Sequence, residues 1–235
     1  MLSKNRKVIV TGGTAGIGFA VASEMLDRGH SVYICARCET GLNLVISSLI
    51  EKFGAGRVNG SICDVRNLNS VQIMVSLAAD FLGGIDTLIN NAGIAFIAPF
   101  EDITENQWRD IVDTNLNGVF NCCRAALPWL KKANGADIIN LGSRSGRYAS
   151  AGGTAYSATK LGLQGFSEAL FLDLHKYGIR VTLVAPGAVS TGLGGKLKEE
   201  WHLLPKDVAV VIGDVLALDY RANINWVEIR PSRPE

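Results

Sequence analysis

The sequence predicts a single α/β domain, residues 1–235, in which a doubly wound, parallel seven-stranded sheet carries helices on both faces. Three observations predict this fold. The chain has 235 residues, 48% of them hydrophobic, which allows a large core at a size that α/β proteins reach as one domain. Short runs rich in β-branched residues alternate with longer stretches of helical periodicity. The short runs are continuously apolar, as in parallel strands covered on both faces.

Seven apolar runs follow one another along the chain, and each predicts a strand. They are KVIVT at residues 7–11, SVYICA at 31–36, VNGSICD at 58–64, TLINN at 87–91, DIINL at 137–141, RVTLVA at 180–185 and INWVEI at 224–229. Between the runs, apolar residues three and four positions apart, such as Ile111, Val112 and Leu116, indicate amphipathic helices. Right-handed crossovers then distribute the helices over both faces of the sheet.

Charge and cysteine content narrow the class of partner. The formal net charge is +1 at pH 7, so no broad electrostatic field favours nucleic acid or an anionic membrane. No apolar stretch has the length of a signal core or a membrane span, and we expect a cytoplasmic protein with a small-molecule partner. The five cysteines are expected to be reduced and structural. Cys35 and Cys38 form a C-x-x-C pair, but no second pair or nearby histidine supports redox or metal chemistry, and no metal site is predicted.

A glycine-rich turn, TGGTAGIG at residues 11–18, follows the first predicted strand and precedes a helical stretch. Its glycines allow a tight turn, a close approach of the backbone to a pyrophosphate, and close packing of the helix on the strand. The helix N-terminus adds amide donors and a partial positive charge. This context predicts a dinucleotide-binding (Rossmann) domain, with cofactor contacts from Gly12, Thr14, Gly16, Ile17 and Gly18.

The end of the second predicted strand indicates which dinucleotide binds. NAD-binding versions carry an acidic residue there, which accepts hydrogen bonds from the adenosine ribose. This chain has Ala36, followed by Arg37. Arg37 can pair with a 2′-phosphate through charge-assisted hydrogen bonds, so NADP(H) is favoured over NAD(H). A solvated surface arginine, which Glu39 could neutralise, is the alternative.

Tyr156 and Lys160 lie four positions apart at the start of a predicted helix, so their side chains share one face. A phenol with its ordinary pKa of about 10 is a poor acid or base at neutral pH, and we expect the adjacent ammonium to lower that pKa. Ser143 follows the fifth predicted strand, at the edge where open α/β sheets bind ligands. Its hydroxyl can donate to a carbonyl oxygen that gains negative charge during hydride transfer.

Asn115 lies in a run of poor helix formers, DTNLNG at residues 113–118, inside a strong helical pattern. We therefore expect a local kink at this point. The kink would free backbone groups to bind water and would offer a path for protons from Lys160 to solvent.

Together these residues resemble the classical short-chain dehydrogenase/reductase family over nearly the whole chain. The resemblance rests on the glycine-rich turn, Asp64, the segment Asn90-Asn91-Ala92-Gly93, Asn115, Ser143, Tyr156 with Lys160, and Pro186-Gly187 followed by Thr191. It implies that Asp64 hydrogen-bonds the adenine amino group and that Asn91, Ala92 and Gly93 line the cofactor channel. It also implies that Pro186 and Gly187 shape the nicotinamide pocket and that Thr191 contacts the carboxamide. Without the family, Asp64 could equally be a turn residue and Asn91 could cap a strand.

The resemblance implies an NADP(H)-dependent oxidoreductase that transfers hydride between nicotinamide and a small carbonyl or alcohol substrate, of carbonyl reductase, 3-oxoacyl- or 3-hydroxy-compound type. Tyr156 would protonate the oxygen, Ser143 would orient it, and Lys160 would hold the ribose and tune the phenol, so that Tyr156 and Lys160 also contact the cofactor. Asn115 completes the expected catalytic set. An NAD-linked alcohol dehydrogenase of the same family is one alternative. A catalytically silent dinucleotide-binding sensor is the alternative from another class, against which the intact catalytic set argues.

Residues 188–204 are rich in glycine and charge and predict a substrate lid that ends before a helix beginning near Pro205. Its glycines include Gly192, Gly194 and Gly195, and its charged residues are Lys196, Lys198, Glu199 and Glu200. Trp201, Leu203 and Leu204 are expected to give a compact substrate apolar cover, with His202 a candidate polar contact.

The helices around Asn115 and after Tyr156 carry broad apolar faces, and we expect a homodimer or homotetramer.

Overall fold

The structure is a computed structural model that describes residues 5–193 and 199–233. Within these residues, seven parallel strands form one sheet in the order β3-β2-β1-β4-β5-β6-β7. The strands are β1 (Lys7–Thr11), β2 (Ser31–Ala36), β3 (Val58–Ile62), β4 (Thr87–Asn90), β5 (Ala136–Leu141), β6 (Ile179–Pro186) and β7 (Trp226–Ile229). The predicted doubly wound sheet is confirmed, and each predicted strand is present with small shifts at its ends.

Helices cover both faces of the sheet. They are α1 (Gly16–Asp27), α2 (Glu39–Phe53), α3 (Leu68–Leu82), α4 (Glu105–Val112), α5 (Gly118–Leu130), α6 (Thr154–Leu174) and α7 (Pro205–Ala217). Buried residues of α1, α2 and α7 form one apolar cluster, and those of α3, α5 and α6 form another on the opposite face. Successive residues of β1 serve both clusters, because Val8 and Val10 join the first and Ile9 joins the second. This explains why the strands are continuously apolar.

The order of strands reverses between β1 and β4. On one side of this point the chain continues to β2 and β3, and on the other side to β5, β6 and β7. In open α/β sheets the crevice outside the carboxyl ends of the strands at such a point binds ligands. The fold therefore predicts that a ligand binds at the loops that follow β1, β4 and β5.

A buried charge network lies at the amino ends of the strands, opposite the crevice at their carboxyl ends. Asp137 accepts hydrogen bonds from Arg6 Nη1 at 2.6 Å and from Arg180 Nε at 2.7 Å. All three residues are buried, with exposed fractions of 1% for Asp137 and 6% for both Arg6 and Arg180. Arg180 Nη1 also donates to backbone carbonyls of Leu218 and Ala222, each at 3.1 Å. The network joins three strands to the segment that follows α7.

The remaining sequence predictions concern absences and the lid. The five cysteines are free, with Cys38 exposed and the other four buried. Among the residues described, none of the helices has the length and apolarity needed to cross a membrane. The same segments contain no group of three or more His, Cys, Asp or Glu side chains that could hold a metal. Predictions for Gly194, Gly195, Lys196 and Lys198 lie outside the described residues.

Candidate active site

A cleft of 380 Å³ opens at the carboxyl ends of β1 to β4. It brings together many of the residues predicted to hold a dinucleotide, and these are Gly12, Thr14, Arg37, Asp64, Ala92 and Gly93. A larger depression of 640 Å³ lies between α3 and α5, where Gln72 and Trp129 are part of its lining. None of the predicted site residues lines that depression, so we assign the dinucleotide site to the smaller cleft, whose lining does not include Ser143, Tyr156 or Lys160.

The glycine-rich turn has the geometry that its sequence predicts. Gly12 and Gly16 adopt φ values of 65° and 53°, in the left-handed region that favours glycine. A Cβ on Gly18 would lie 2.1 Å from the Gly12 carbonyl oxygen, so a side chain at position 18 would push α1 away from the turn. The side chain of Ile17 packs against the apolar core beneath α1, and its backbone amide belongs to the first turn of the helix, where amides have no carbonyl partner within the helix.

The N-terminus of α1 fits a pyrophosphate group. The residue before the helix, Ala15, provides no side-chain cap, and the first turn of α1 carries no acidic residue. The backbone amides of that turn therefore have no competing protein acceptor from a cap, and the helix dipole favours an anion beside them. Together with the close packing of the backbone that Gly12 and Gly18 allow, this cradle fits a dinucleotide cofactor.

Asn91 holds the turn from the neighbouring strand. Its Nδ2 donates to the carbonyls of Thr11 and Gly12 at 2.9 and 3.1 Å. In return, Thr11 Oγ1 accepts hydrogen bonds from the backbone amides of Asn91 and Ala92, each at 3.0 Å. Asn91 thus fixes the shape of the cofactor cradle. Thr11 was missed by sequence reasoning, although a hydroxyl at the end of the strand beside the turn is a signal that could have found it.

Asp64 is both a turn residue and part of the cleft. Its carboxylate accepts hydrogen bonds from the backbone amide of Arg66 at 3.0 Å and from Arg66 Nη2 at 2.7 Å. The hydrogen bonds with Arg66 lower the pKa of Asp64, and the charge of Arg37 contributes in the same direction. Arg66 also bonds Asp110 at 2.8 Å. Sequence reasoning missed Arg66, whose contact depends on the path of the loop after β3.

The predicted catalytic residues meet where β5 ends and α6 begins. Tyr156 lies in the first turn of α6, and its hydroxyl is close enough to Ser143 for the serine to act on its pKa. Lys160 Nζ lies 5.7 Å from the centroid of the Tyr156 ring and donates to the carbonyl of Leu141 at 2.7 Å. Ser143 Oγ also accepts a hydrogen bond from the amide of Ser145 at 3.1 Å, which fixes its rotamer beside the phenol.

Burial decides the pKa values of the tyrosine and the lysine. It raises the pKa of Tyr156, against the smaller opposite effect of Ser143. Burial also lowers the pKa of Lys160 to about 8. The expectation that the ammonium lowers the pKa of Tyr156 is wrong for the protein's own groups, because removal from water disfavours both charged forms. At neutral pH the phenol therefore keeps its proton.

Asn115 lies in a π-helical turn, Asp113–Asn117, between α4 and α5, which confirms the predicted irregularity. The residue is fully buried, with an exposed fraction of 0%. Its Oδ1 accepts from the amide of Ile94 at 2.9 Å, and its Nδ2 donates to the Ile94 carbonyl at 2.9 Å and to Thr159 Oγ1 at 3.2 Å. Asn115 thus ties the cleft wall after β4 to α6. A proton path through its backbone stays a prediction.

A buried chain of amides lies beneath the catalytic residues and was also missed by sequence reasoning. Asn90 Nδ2 donates to Asn140 Oδ1 at 2.9 Å, and Asn140 Nδ2 donates to Ser167 Oγ at 2.9 Å. Asparagines in the interior of two adjacent apolar strands could have signalled it. The chain of hydrogen bonds joins β4, β5 and α6, the three elements that carry the site.

The remaining predicted contacts border the other end of the turn. The side chain of Thr191 lies against Gly16, where an added Cβ would be 3.2 Å from Thr191 Cγ2. Pro186 is the last residue of β6. The amide of Gly187 donates to the carbonyl of Ile229 at 2.7 Å, which fixes the chain as it leaves β6. These three residues thus lie on the side of the turn away from Arg37.

The ends of the predicted lid are joined to each other. The amide of Leu203 donates to the carbonyl of Ala188 at 3.0 Å, and the amide of Ser190 donates to the carbonyl of Leu203 at 2.9 Å. His202 stacks edge-on against Trp201, with ring centroids 4.3 Å apart. Its Nδ1 accepts from the amide of Glu199 at 3.3 Å, so a local turn already engages this imidazole.

Comparison with known proteins agrees with this geometry. The family model described as short chain dehydrogenase matches residues 6–201. The chain is 35% identical over 201 residues to a 3-oxoacyl-(acyl-carrier-protein) reductase of Chlamydia muridarum, covering 84% of this chain and 81% of that protein. It is 34% identical over 239 residues to an NADP-dependent 3-hydroxy acid dehydrogenase of Salmonella typhimurium, covering 95% and 94%. The solved closed form of a serine dehydrogenase complexed with NADP+ superposes with a TM-score of 0.86 at 33% identity, covering 94% and 93%.

Proposed function

The chain belongs to the short-chain dehydrogenase family, and from that premise we propose that it is an NADP(H)-dependent reductase of small carbonyl compounds of the 3-oxoacyl or 3-hydroxy type. The observation that carries the proposal is the approach of Ser143, Tyr156 and Lys160 to one another where β5 ends and α6 begins, with Lys160 Nζ 5.7 Å from the centroid of the Tyr156 ring. Two hydroxyl groups at one point can hold one substrate oxygen, and Tyr156 can transfer a proton to it.

In the direction of reduction, the protein's own groups would supply the proton and hold the substrate oxygen. Because the pKa of Tyr156 is raised, the phenol carries the proton that a carbonyl oxygen needs when it becomes an alcohol. Ser143 would donate a second hydrogen bond to that oxygen and stabilise its developing negative charge. A bound nicotinamide supplies the hydride. Lys160, fixed by the Leu141 carbonyl, would hold the ribose and place a positive charge behind the phenol.

Several residues support NADP(H) as the cofactor. The cradle at Gly12 and Gly18 would bind the pyrophosphate, and Asp64 would accept from the adenine amino group. Arg37 is exposed at the edge of the cleft, where its guanidinium is available to a 2′-phosphate, while Ala36 offers no carboxylate to repel that phosphate. The Salmonella relative is described as NADP-dependent, and the serine dehydrogenase was solved with NADP+.

At the nicotinamide end, Pro186, Gly187 and Thr191 would form the pocket wall. The segment 188–204 would close over the substrate, with its hydrogen-bonded ends at Ala188 and Leu203 acting as a fixed base. A lid this short favours a compact substrate over a polycyclic one.

The helix faces outside the sheet support a homodimer or homotetramer. Phe120 on α5 and Leu161 on α6 have exposed fractions of 52% and 59%. Large apolar side chains on two neighbouring helices lose unfavourable contact with water when a second copy covers them. Light scattering coupled to gel filtration measures the mass directly.

A substrate screen tests the proposed function. The purified protein is mixed with NADPH and with 3-oxo acids, their esters, simple ketones, aldehydes, quinones and steroids, and the loss of NADPH absorbance is followed. We expect turnover with small 3-oxo compounds, a slower rate with polycyclic ketones, and weaker activity when NADH replaces NADPH. Tight NADPH binding without turnover of any carbonyl would overturn the proposal and favour a dinucleotide sensor.

A further inference from the structure

A group of basic side chains surrounds an exposed tyrosine just beyond the catalytic serine. Within the described residues, the guanidinium carbons of Arg144, Arg147 and Arg230 lie 5.4, 5.5 and 5.2 Å from the centroid of the Tyr148 ring. Tyr148 has an exposed fraction of 44%, so the group is open to solvent. We refer to Arg144, Arg147, Tyr148 and Arg230 as the arginine–tyrosine cluster.

The cluster borders the place where the substrate oxygen would be held. Arg144 directly follows Ser143 and begins the short 3₁₀ turn Arg144–Gly146. Arg230 follows β7, and its Cα lies 3.7 Å from the position of a Cβ added to Gly187. The two arginines therefore approach from the ends of β5 and β7, on either side of β6. They flank the segment that begins at Ser143 and the segment that leaves β6.

The cluster carries more positive charge than its surroundings neutralise. Arg230 forms an ion pair with Glu228. In the described part of the chain, Arg144 and Arg147 form no ion pair with a carboxylate; they contact aromatic rings, Arg147 lying over both Tyr148 and Trp226. Guanidinium groups that share one ring repel one another, and contact with the ring face offsets only part of that repulsion. An oxyanion between them would remove the imbalance.

We propose that the arginine–tyrosine cluster binds the carboxylate of the substrate, so that the preferred substrate is a 3-oxo acid in its free, anionic form. The inference rests on the proposed function. In a 3-oxo acid a single carbon separates the carboxylate from the reacting carbonyl carbon, and Arg144 is the residue next to Ser143, so we expect the carboxylate of a substrate whose carbonyl is held by Ser143 to reach Arg144. A planar guanidinium can bind such a group through two parallel hydrogen bonds. The Tyr148 hydroxyl is available as a further donor.

A matched pair of substrates tests this assignment. Steady-state kinetics with saturating NADPH compare 3-oxobutanoate with its methyl ester, which has the same carbonyl and no charge. The variants are Arg144→Gln, Arg144→Lys and the double variant Arg144→Gln/Arg147→Gln. The control is Arg124→Gln, an exposed arginine of α5 that lines the separate depression.

We expect the ratio of kcat/KM for the acid to kcat/KM for the ester to fall by about 10- to 100-fold in Arg144→Gln, mainly through KM of the acid. Arg144→Lys should recover part of the ratio because it keeps the charge but loses the planar fork. The control should keep the wild-type ratio. Equal losses with acid and ester, or no loss with either, would overturn the proposal.

Two further measurements distinguish a carboxylate site from a phosphate site, and substrate binding from turnover. With 3-oxobutanoyl-coenzyme A as substrate, a loss confined to this thioester would assign the cluster to the phosphates of a carrier and overturn the carboxylate proposal. Calorimetric titration of the NADPH-saturated protein with 3-hydroxybutanoate and its methyl ester measures binding without turnover, because cofactor and ligand are then both in the reduced form and no hydride can be transferred. Tighter binding of the acid that Arg144→Gln abolishes would support the cluster even if no carbonyl were reduced. Equal binding of acid and ester would overturn it.

Discussion

The ammonium group of Lys160 donates a hydrogen bond to the backbone carbonyl of Leu141, with Nζ and O 2.7 Å apart. Leu141 is the last residue of β5 and lies two positions before Ser143. The bond therefore joins the start of α6, which carries Tyr156, to the strand that leads to the serine. It fixes the position of the Tyr156 hydroxyl relative to the Ser143 hydroxyl, and it places a buried positive charge 5.7 Å from the centroid of the phenol ring.

The buried ammonium predicts a falling limb in the pH profile of reduction. Burial lowers the pKa of Lys160 to about 8, and the charged form exists below that pKa and is lost above it. We expect kcat/KM for a carbonyl substrate to decrease as the pH rises through about 8. Because the pKa of Tyr156 is raised, the phenol still carries its proton in this range.

Lys160→Arg provides the check on this assignment. Arginine stays charged throughout the accessible pH range, so the variant should lose the falling limb even if its rate is lower overall. Circular dichroism at each pH controls for unfolding. A falling limb that stays in place in Lys160→Arg would assign the titration to another group.

Replacing Tyr156 with phenylalanine removes the proposed proton donor and keeps the ring. General acid catalysis contributes about 100- to 10,000-fold, so we expect kcat to fall by at least about 100-fold. The dissociation constant for NADPH, measured by fluorescence titration, should change little. Tyr177→Phe is the matched control, because Tyr177 is exposed beyond the other end of α6 and should keep wild-type turnover. Substantial activity in Tyr156→Phe would exclude this residue as the acid.

The sheet and the glycine-rich turn were predictable because their physical causes are local. Strands covered on both faces need continuous apolar runs, and the left-handed backbone at Gly12 and Gly16 needs glycine. The poor helix formers around Asn115 predicted a break in helical geometry. The break takes the form of a π-helical turn. This form depends on how α4 and α5 pack against α6, and a local stretch of sequence does not predict that packing.

The electrostatics of the site were not predictable from spacing alone. The spacing of Tyr156 and Lys160 places an ammonium beside a phenol, and this favours a lowered pKa for the tyrosine. The direction is reversed because burial disfavours the charged form of both groups. In the same way, Arg66 reaches Asp64 only because of the path of the loop after β3.

The exposed guanidinium of Arg37 predicts a cofactor-selective loss. Arg37→Ala would remove the partner of the 2′-phosphate, a group that NADH does not have. A charge-assisted pair of this kind corresponds to about 10- to 100-fold in affinity. We therefore expect kcat/KM for NADPH to fall by that factor and kcat/KM for NADH to stay nearly constant. Equal losses with the two cofactors would show that Arg37 acts on the shape of the cleft.

The charge network at the amino ends of the strands predicts a large loss of stability. Asp137 bonds both Arg6 and Arg180 and has an exposed fraction of 1%. Asp137→Asn leaves two buried guanidinium groups without their carboxylate, and breaking a buried pair in this way costs about 3–5 kcal/mol. Urea titration should show the free energy of unfolding reduced by about that amount.

A surface ion pair provides the comparison. Glu105 pairs with Arg109 at 2.6 Å, and their side chains are 74% and 66% exposed. Glu105→Gln should change the free energy of unfolding by less than about 1 kcal/mol, because exposed ion pairs contribute little. Similar losses in Asp137→Asn and Glu105→Gln would contradict the proposed difference between buried and exposed pairs.

The lid prediction divides residues 188–204 into a fixed base and a closing part. The amides of Ser190 and Leu203 donate to backbone carbonyls within the base, so they should exchange slowly with deuterium in the free protein. Gly192 has a φ of 76° and open space around it, and Glu200 is exposed. We expect their amides to exchange fast in the free protein, because in the described part of the chain no packed element protects them.

Closure over the substrate should slow this exchange, since a lid that excludes water buries its own amides. Residue-resolved hydrogen exchange is measured for the free protein, with NADP+ alone, and with NADP+ and a 3-hydroxy acid. We expect at least about 10-fold slower exchange at Gly192 and Glu200 in the ternary complex, in keeping with the sub-global openings that lids undergo. The amide of Leu203 should stay slow in all three states. Strong protection of Gly192 and Glu200 already in the free protein would rule out closure, because a segment that is ordered before binding has no motion left for the ligand to select.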